Sequence, residues 1–365
     1  MERNDTGCGT LHPPTLHQLG WTEDHAAAFA QYPDHYKPGR VSCRQKTVWE
    51  VLTDAGALTA TVSGALKRSG QYPAVGDFVV LLDRQETGTS TIVAILPRTS
   101  IFSRGEAGPD GTDQVIAANI DTVFIMTAAG HDLNARRTER YLAIAHASGA
   151  RPVIVINKSD LADDPRTLTE QLATVAAGAP VITLSAANGD GIEHLSPFLS
   201  SKTTIALIGS SGVGKSTLIN RLLSSAVQET STIREQDGRG RHTTTVRQLF
   251  ILPGGAIMID NPGIREVGLG TAADGMADTF PDITGLACQC RFSDCRHDGE
   301  PGCAVQEAVQ NGTLAESRLE NYRRLMREIA FSQEKAEIGL VRTERKRWKQ
   351  IAKMGKEISQ GKGRW

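Results

Sequence analysis

Residues 202–224 read KTTIALIGSSGVGKSTLINRLLS. The apolar run Ile205 to Ile208 enters a glycine-rich turn, and the turn opens on a helical run, "STLINRLL". The turn fits G-x-x-x-x-G-K-[ST] over Gly209, Ser210, Ser211, Gly212, Val213, Gly214, Lys215 and Ser216, with Thr217 following. A strand before and a helix after are the context in which this spacing cradles phosphate. Backbone N–H groups wrap around the phosphate oxygens, and the helix N-terminus adds partial positive charge. There Lys215 bridges the β- and γ-phosphates, and Ser216 ligates Mg²⁺.

The flanking sequence extends this unit into an α/β domain. "NIDTVFIMTAA", "NARRTERYLAIAHASGA", "RPVIVINKSD", "PRTLTEQLATVAAGA" and "PVITLSAA" alternate strand and helix patterns, as a parallel sheet covered on both faces requires. The domain is expected over 113–269. Phosphate contacts do not choose the base, but the strand ending at Asn157 empties into Lys158, Ser159 and Asp160. A carboxylate at Asp160 accepts from both the N1–H and the amino group of guanine, a donor pair that adenine lacks. Leaving it unpaired costs about 1–3 kcal/mol, so GTP and GDP are the expected ligands. In "ITLSAA", Ser185 and Ala186 offer a backbone N–H to guanine O6. "MIDNPGIRE" places Asp260 to hold Mg²⁺ through water and Gly263 to sense the γ-phosphate. Between the phosphate loop and Asp260, "EQDGRGRHTTTVRQL" is a polar loop suited to ordering around GTP, with Thr243 or Thr244 as the Mg²⁺ and γ-phosphate ligand. The base-reading turn thus precedes the phosphate loop in the chain.

At 365 residues two or three domains are expected. Composition is that of a globular protein, 39% hydrophobic and 22% charged, with no apolar run near the roughly 18 residues of a membrane helix. The start of the chain lacks the basic and apolar segments of a signal peptide, so a cytoplasmic protein without a membrane partner is expected. Residues 1–35 form an N-terminal extension with no clear chemistry. Short alternating runs then define an all-β module over 36–104. Its size suits a Greek-key barrel of the OB type; an SH3-like barrel gives much the same pattern. "TSIFSRGEAGPDG" reads as a Gly-rich linker.

Beyond the α/β domain, 270–340 carries the cysteine-rich segment "CQCRFSDCRHDGEPGC" and a helical run with Leu314, Leu319, Tyr322, Leu325 and Ile329 at helical spacing. Cys288, Cys290, Cys295, His297 and Cys303 are five candidate ligands for a tetrahedral structural zinc site that needs four. The tail, 341–365, is basic: from Arg342 onward only Glu344 and Glu357 oppose its cations, although the net charge of the chain is −1. A basic tail and an OB-type barrel suit RNA.

The order NKSD, SA, phosphate loop, HTTT, DNPG resembles circularly permuted GTPases. With "PAVGDFV", "ILPRTS", "GRGRHTTT", "IDNPGIRE" and "DCRHDGEPGCAV" the chain resembles the RsgA (YjeQ) family of small-ribosomal-subunit biogenesis GTPases, from about Arg40 to at least Glu337. The resemblance implies an OB barrel, a permuted GTPase domain and a helical zinc subdomain. It implies Cys290, Cys295, His297 and Cys303 as the zinc ligands, leaving Cys288 as a neighbour. It further implies the 30S subunit and its rRNA as partners, with GTP hydrolysis driving release late in maturation; a monomer is expected. Many GTPases orient the attacking water with a Gln after the D-x-x-G motif. This chain has Ile264 there. Such a residue is what the resemblance implies, and His242 is the candidate to position water or accept its proton. Two other readings remain open to the sequence: a non-catalytic guanine-nucleotide sensor that binds RNA, and a permuted GTPase of large-subunit assembly.

Overall fold

Strand pairing, which periodicity does not reveal, decides the barrel. The computed structural model describes residues 13–83, 88–104, 114–130, 132–224, 248–260 and 272–334. Strands β1 (Tyr36–Gln45), β2 (Val48–Thr53), β3 (Gly56–Val62), β4 (Phe78–Leu82) and β5 (Ser90–Ile95) pair in the order β1-β2-β3-β5-β4, and β4 closes back onto β1. β3 and β5 run parallel, and the short helix α2 (Gly64–Arg68) lies between β3 and β4 in the chain. That closure is the OB arrangement, and it removes the SH3-like alternative. Val41, Trp49, Val51, Val79, Leu81 and Ile92 fill the interior, where the Trp49 indole N–H donates to the Pro73 carbonyl at 2.9 Å.

The start of the segment read as a linker is a strand. β6 (Ile101–Arg104) pairs antiparallel with β7 (Gln114–Ala118) across it. The α/β domain then builds on β8 (Thr122–Ala128), β9 (Arg151–Asn157), β10 (Val181–Thr183), β11 (Thr204–Gly209), β12 (Gln248–Ile251) and β13 (Ile257–Asp260). In space the order is β10-β9-β8-β11-β13-β12, parallel except for β12. Both faces of this sheet are apolar because both are covered. One face packs under α3 (Ala135–Ser148) and the C-terminal helices; the other packs under α5 (Lys215–Ser224) and the 3₁₀ segment Ile192–Phe198. Helix α4 (Pro165–Ala173) lies against β10.

Barrel and sheet meet through buried polar groups. β1 touches β12 at the pair Cys43 and Gln248. Beside it Arg40, 1% exposed, donates to the carbonyls of Leu19, Gly76 and Asn119 and to the Thr204 hydroxyl, with its guanidinium over the Phe78 ring. Burial lowers its pKa to about 10, so it stays charged at neutral pH, and its four hydrogen bonds offset part of the desolvation cost. Asp77 of "PAVGDFV" and Arg98 of "ILPRTS" form a two-pronged buried ion pair, both contacts 2.7 Å. Residues 13–35, to which the sequence assigned no role, are built into this junction. Leu16 and Leu19 join the core of the α/β domain, and Trp21, His25 and Phe29 of the segment around α1 (Glu23–Phe29) pack with Phe78.

The C-terminal module consists of α6 (Met276–Thr279), α7 (Pro281–Ala287), α8 (Ala304–Gln310) and α9, described over 316–334. It docks on α3, and Gly275 makes the approach possible, since a side-chain carbon there would collide with the Ala143 carbonyl. Arg318 locks the contact: it donates to Glu139 of α3 at 2.6 Å and, with both prongs, to Asp282 of α7. Burial works against its charge, but the Asp282 and Glu139 carboxylates hold its pKa above the ordinary value. Among the described residues no helix is long and apolar enough to cross a membrane.

Candidate nucleotide site and Cys/His centre

The register of the parallel strands brings the expected site residues to one edge of the sheet. Met126 is level with Gly209, Ala128 with Asn157, Ile156 with Thr183, and Ala206 with Ile259. The carboxyl ends of β9, β10, β11 and β13 therefore deliver Asn157, the Ser185 loop, the phosphate loop and Asp260 to the same edge. This is where open α/β sheets bind ligands. Chain order is irrelevant to that convergence, which is why the Asn157–Asp160 turn can precede the phosphate loop.

Asn157 joins the loops. Its amide Nδ2 donates to the Val213 carbonyl of the phosphate loop at 2.8 Å, and its Oδ1 accepts from the Ala186 backbone N–H at 2.9 Å. Asn157 is 2% exposed, so both bonds form away from water. Gly214 leaves room for this contact: it has φ +94°, and a side-chain carbon there would strike the Asn157 amide. Lys158 adopts a left-handed backbone with φ 61°, which turns the chain into the short 3₁₀ segment Ser159–Leu161 carrying Asp160. The Ser185 hydroxyl donates to Asp160 Oδ1 at 2.5 Å, and the Ser159 N–H donates to the Leu184 carbonyl. Asp160 is thus oriented by a hydroxyl on one of its oxygens.

Lys215 starts α5 and folds back over the loop, donating to the carbonyls of Gly209 at 2.8 Å and Ser210 at 2.5 Å. Ser216 and Thr217 follow in the first turn of that helix, while Ser211 and Gly212 form the exposed crown of the loop. Asp260 ends β13, directly before the segment that carries Gly263. Gly263, His242, Thr243 and Thr244, and the basic tail 341–365, lie outside the described residues.

Two arginines at this edge carried no signal in the sequence. Arg221 of α5 donates to the carbonyls of Ala186 and Ala187, tying the helix after the phosphate loop to the base side. Arg137, in the first turn of α3, donates to Ser210 Oγ at 2.6 Å and to Asp132 at 2.5 Å. Both look in the sequence like the solvated cations of amphipathic helices, and only the sheet's strand order puts them here.

The second centre gathers Cys290, Cys295, His297 and Cys303, whose ligand atoms all lie within 4.8 Å of one another. The Cys290 and Cys303 sulfurs are 3.9 Å apart, and His297 Nδ1 is 3.6 Å from Cys290 and 3.4 Å from Cys303. A tetrahedron built on Zn–S and Zn–N bonds has edges of about 3.8 and 3.6 Å, so the cluster is compatible with one zinc ion. Burial lowers the His297 pKa, which keeps the imidazole neutral with a lone pair to give. Its carbonyl accepts from Gln306 Nε2 at 2.6 Å, fixing the loop. Cys288 is exposed and donates to the Thr284 carbonyl, outside the cluster.

The sequence profile of the RsgA GTPase family matches residues 95–270. A small ribosomal subunit biogenesis GTPase RsgA from Methanosarcina acetivorans is 52% identical over 351 residues, covering 96% of this chain and 95% of that protein. A protein of the same name from Opitutus terrae is 44% identical over 365 residues, covering 96% of this chain and 100% of the relative. The crystal structure of YjeQ from Thermotoga maritima is similar with TM-score 0.61 at 27% identity, over 81% of this chain and 99% of that one. YloQ, a circularly permuted GTPase, shares the fold with TM-score 0.58 at 23% identity, over 82% and 97%. An OB barrel, a phosphate loop placed after its base-reading turn and a Cys/His module thus occur together in a chain that aligns with these relatives almost end to end. The chain belongs to the RsgA GTPase family.

Proposed function

We propose that this protein binds the small ribosomal subunit in its GTP state and hydrolyses GTP to GDP and phosphate to leave it during late maturation. The observation that carries the reading is Asn157, which ties the Lys158–Asp160 turn, the Ala186 loop and the phosphate loop into one unit. The partner is the one named for the relatives, which are small-subunit biogenesis GTPases.

In this reading Asp160 selects guanine, the Ala186 N–H meets O6, and the phosphate-loop backbone with Lys215 binds the β- and γ-phosphates. Lys215 leaves its two carbonyl partners when phosphate oxygens replace them. Mg²⁺, held by Ser216, one of Thr243 and Thr244, and through water by Asp260, would screen charge on the transferring phosphoryl group. Gly263 donates its N–H to the γ-phosphate, and His242 positions the attacking water. Cys290, Cys295, His297 and Cys303 would hold one structural zinc, which cross-links a segment too small for a core of its own. Functional division follows 36–104 for RNA contact, 113–269 for GTP and 270–340 for the zinc module, with the tail from 341 adding salt-sensitive contact to rRNA. The protein acts as a cytoplasmic monomer.

The test compares GTP turnover by the full chain alone, with purified 30S subunits and with purified 50S subunits. Stimulation by 30S is expected. Stimulation by 50S in its place, or by neither, overturns the reading.

A further inference from the structure

We propose that a cavity between the start of α3 and α9 binds the sugar-phosphate backbone of small-subunit RNA and reports its occupancy to the phosphate loop. This rests on the reading that the chain works on that subunit. The cavity measures about 420 Å³ and is lined by Arg136, Arg137 and Arg140 of α3 and by Asn321 and Arg324 of α9, among others. Guanidinium groups from two helices that are far apart in sequence thus border one space, and each is a planar fork that matches phosphate oxygens.

Carboxylates hold these arginines apart. Arg136 pairs with Glu320 at 3.0 Å, Arg140 with Glu328 at 2.7 Å and Arg137 with Asp132 at 2.5 Å. Arg324 lies between Glu320 and Glu328 on the same face of α9 at four-residue spacing and has no carboxylate partner within ion-pair distance among the described residues. The Arg136–Glu320 pair is about half exposed on both sides, and such pairs are weak in water, so a phosphate can displace the carboxylate.

The lining also selects the ligand class. Among the described residues it contains no aromatic ring, and Leu325 is its one apolar side chain, so no aromatic platform holds a base and its arginines are committed to carboxylates or phosphate. A site that grips phosphate without reading a base suits an RNA backbone better than a free nucleotide. The chain's own tail is a poor occupant, since its cations would meet cations. Arg137 supplies the link inward: the same guanidinium nitrogen that pairs with Asp132 also donates to Ser210 Oγ of the phosphate loop. A phosphate that draws Arg137 outward therefore changes the donors around that loop.

The test uses the full chain, loaded with a non-hydrolysable GTP analogue, binding purified small subunits across a range of salt. Arg324→Glu is compared with Arg327→Glu, which changes the net charge equally on the same helix but lies off the cavity and donates to the Arg323 carbonyl. Arg324→Glu is expected to weaken binding about tenfold and to lower the slope of log affinity against log salt by about one, whereas Arg327→Glu stays within about twofold of the parent. Arg324→Gln, a milder change, should move in the same direction. Equal binding by Arg324→Glu and Arg327→Glu overturns the cavity while leaving the proposed function standing. No binding by the parent protein removes the proposed function itself. The same pair measured on protein-free small-subunit RNA separates the partners: a defect of Arg324→Glu on intact subunits that vanishes on bare RNA assigns the cavity to an acidic protein segment and overturns the RNA assignment.

Discussion

The nucleotide site and the Cys/His centre both collect side chains from distant places in a segment, and they do so by opposite means. At the first, directional hydrogen bonds do the holding: Asn157 to Val213 and Ala186, Ser185 to the Asp160 carboxylate, Arg221 to the Ala186 loop. The sheet has already brought these loops to one edge, so each bond needs only to fix an orientation. At the second, the ligands stand on loops rather than at strand ends. Three thiols and an imidazole converge on loops between short helices, and their mutual contacts are weak S–H interactions of 3.4 to 3.9 Å. Ionising the thiols would make them repel, so a metal cation would supply the attraction that hydrogen bonds supply elsewhere. A site on a sheet edge is held by its own hydrogen bonds; a site of three thiols and an imidazole calls for a cation.

The contrast is most directly broken at the Cys/His centre. Chelation of zinc, or Cys303→Ser, is expected to remove on the order of 10 kcal/mol of metal-binding free energy and to expose 288–303 to proteases. Affinity for a fluorescent GDP analogue should stay within about threefold, because the two sites share no partner. Loss of both together would mean that the module also organises the nucleotide site. The next effect tests the clamp between the regions. Arg318→Ala leaves Glu139, 2% exposed, without its cation, and urea unfolding should show a loss of about 3–5 kcal/mol. Adding Glu139→Gln should recover part of it.

Smaller again is the change at the base. Asp160→Asn exchanges an acceptor for a donor, and calorimetry should show GDP binding weakened by about 1–3 kcal/mol while xanthosine diphosphate, which carries a carbonyl at that edge, gains. Phosphate-loop binding of inorganic pyrophosphate should be unchanged. The smallest effect lies outside both sites. Burial first, and Arg40 second, lower the pKa of His25 from its ordinary 6.5. Between 6.5 and its folded value the unfolded chain binds more protons, so stability rises with pH and is lost as pH falls through that window. His25→Gln should flatten that part of the melting-temperature profile. A melting profile of the variant that parallels the parent's would remove the role assigned to His25.

The parts that were legible in the sequence are those encoded by local rules. Glycines at fixed spacing before a helix, a strand ending in Asn-Lys-Ser-Asp and a cluster of four cysteines and a histidine are each read within about twenty residues, although only the family resemblance chose four of those five ligands. The unread parts are long-range. Arg40 looks like an ordinary strand cation, yet it reaches Leu19, Gly76, Asn119 and Thr204, up to 164 positions away. Residues 13–35 carry no motif because their role is to fill space between two other units. Ile101–Arg104 reads as linker because its partner strand lies beyond a glycine-rich stretch.

The sequence by itself determined the chemistry available to this protein: a phosphate loop, a carboxylate for a base, a thiol-rich cluster and the permuted order in which they occur. Tertiary structure alone decided that β3 pairs with β5 to close an OB barrel, that Asn157 meets Val213, and that α3 carries Arg137 to the phosphate loop and Glu139 to Arg318. The physical reason is the difference in range. A motif specifies groups and spacing along the chain, whereas strand register and helix docking are fixed by burying apolar faces against partners that local sequence does not name.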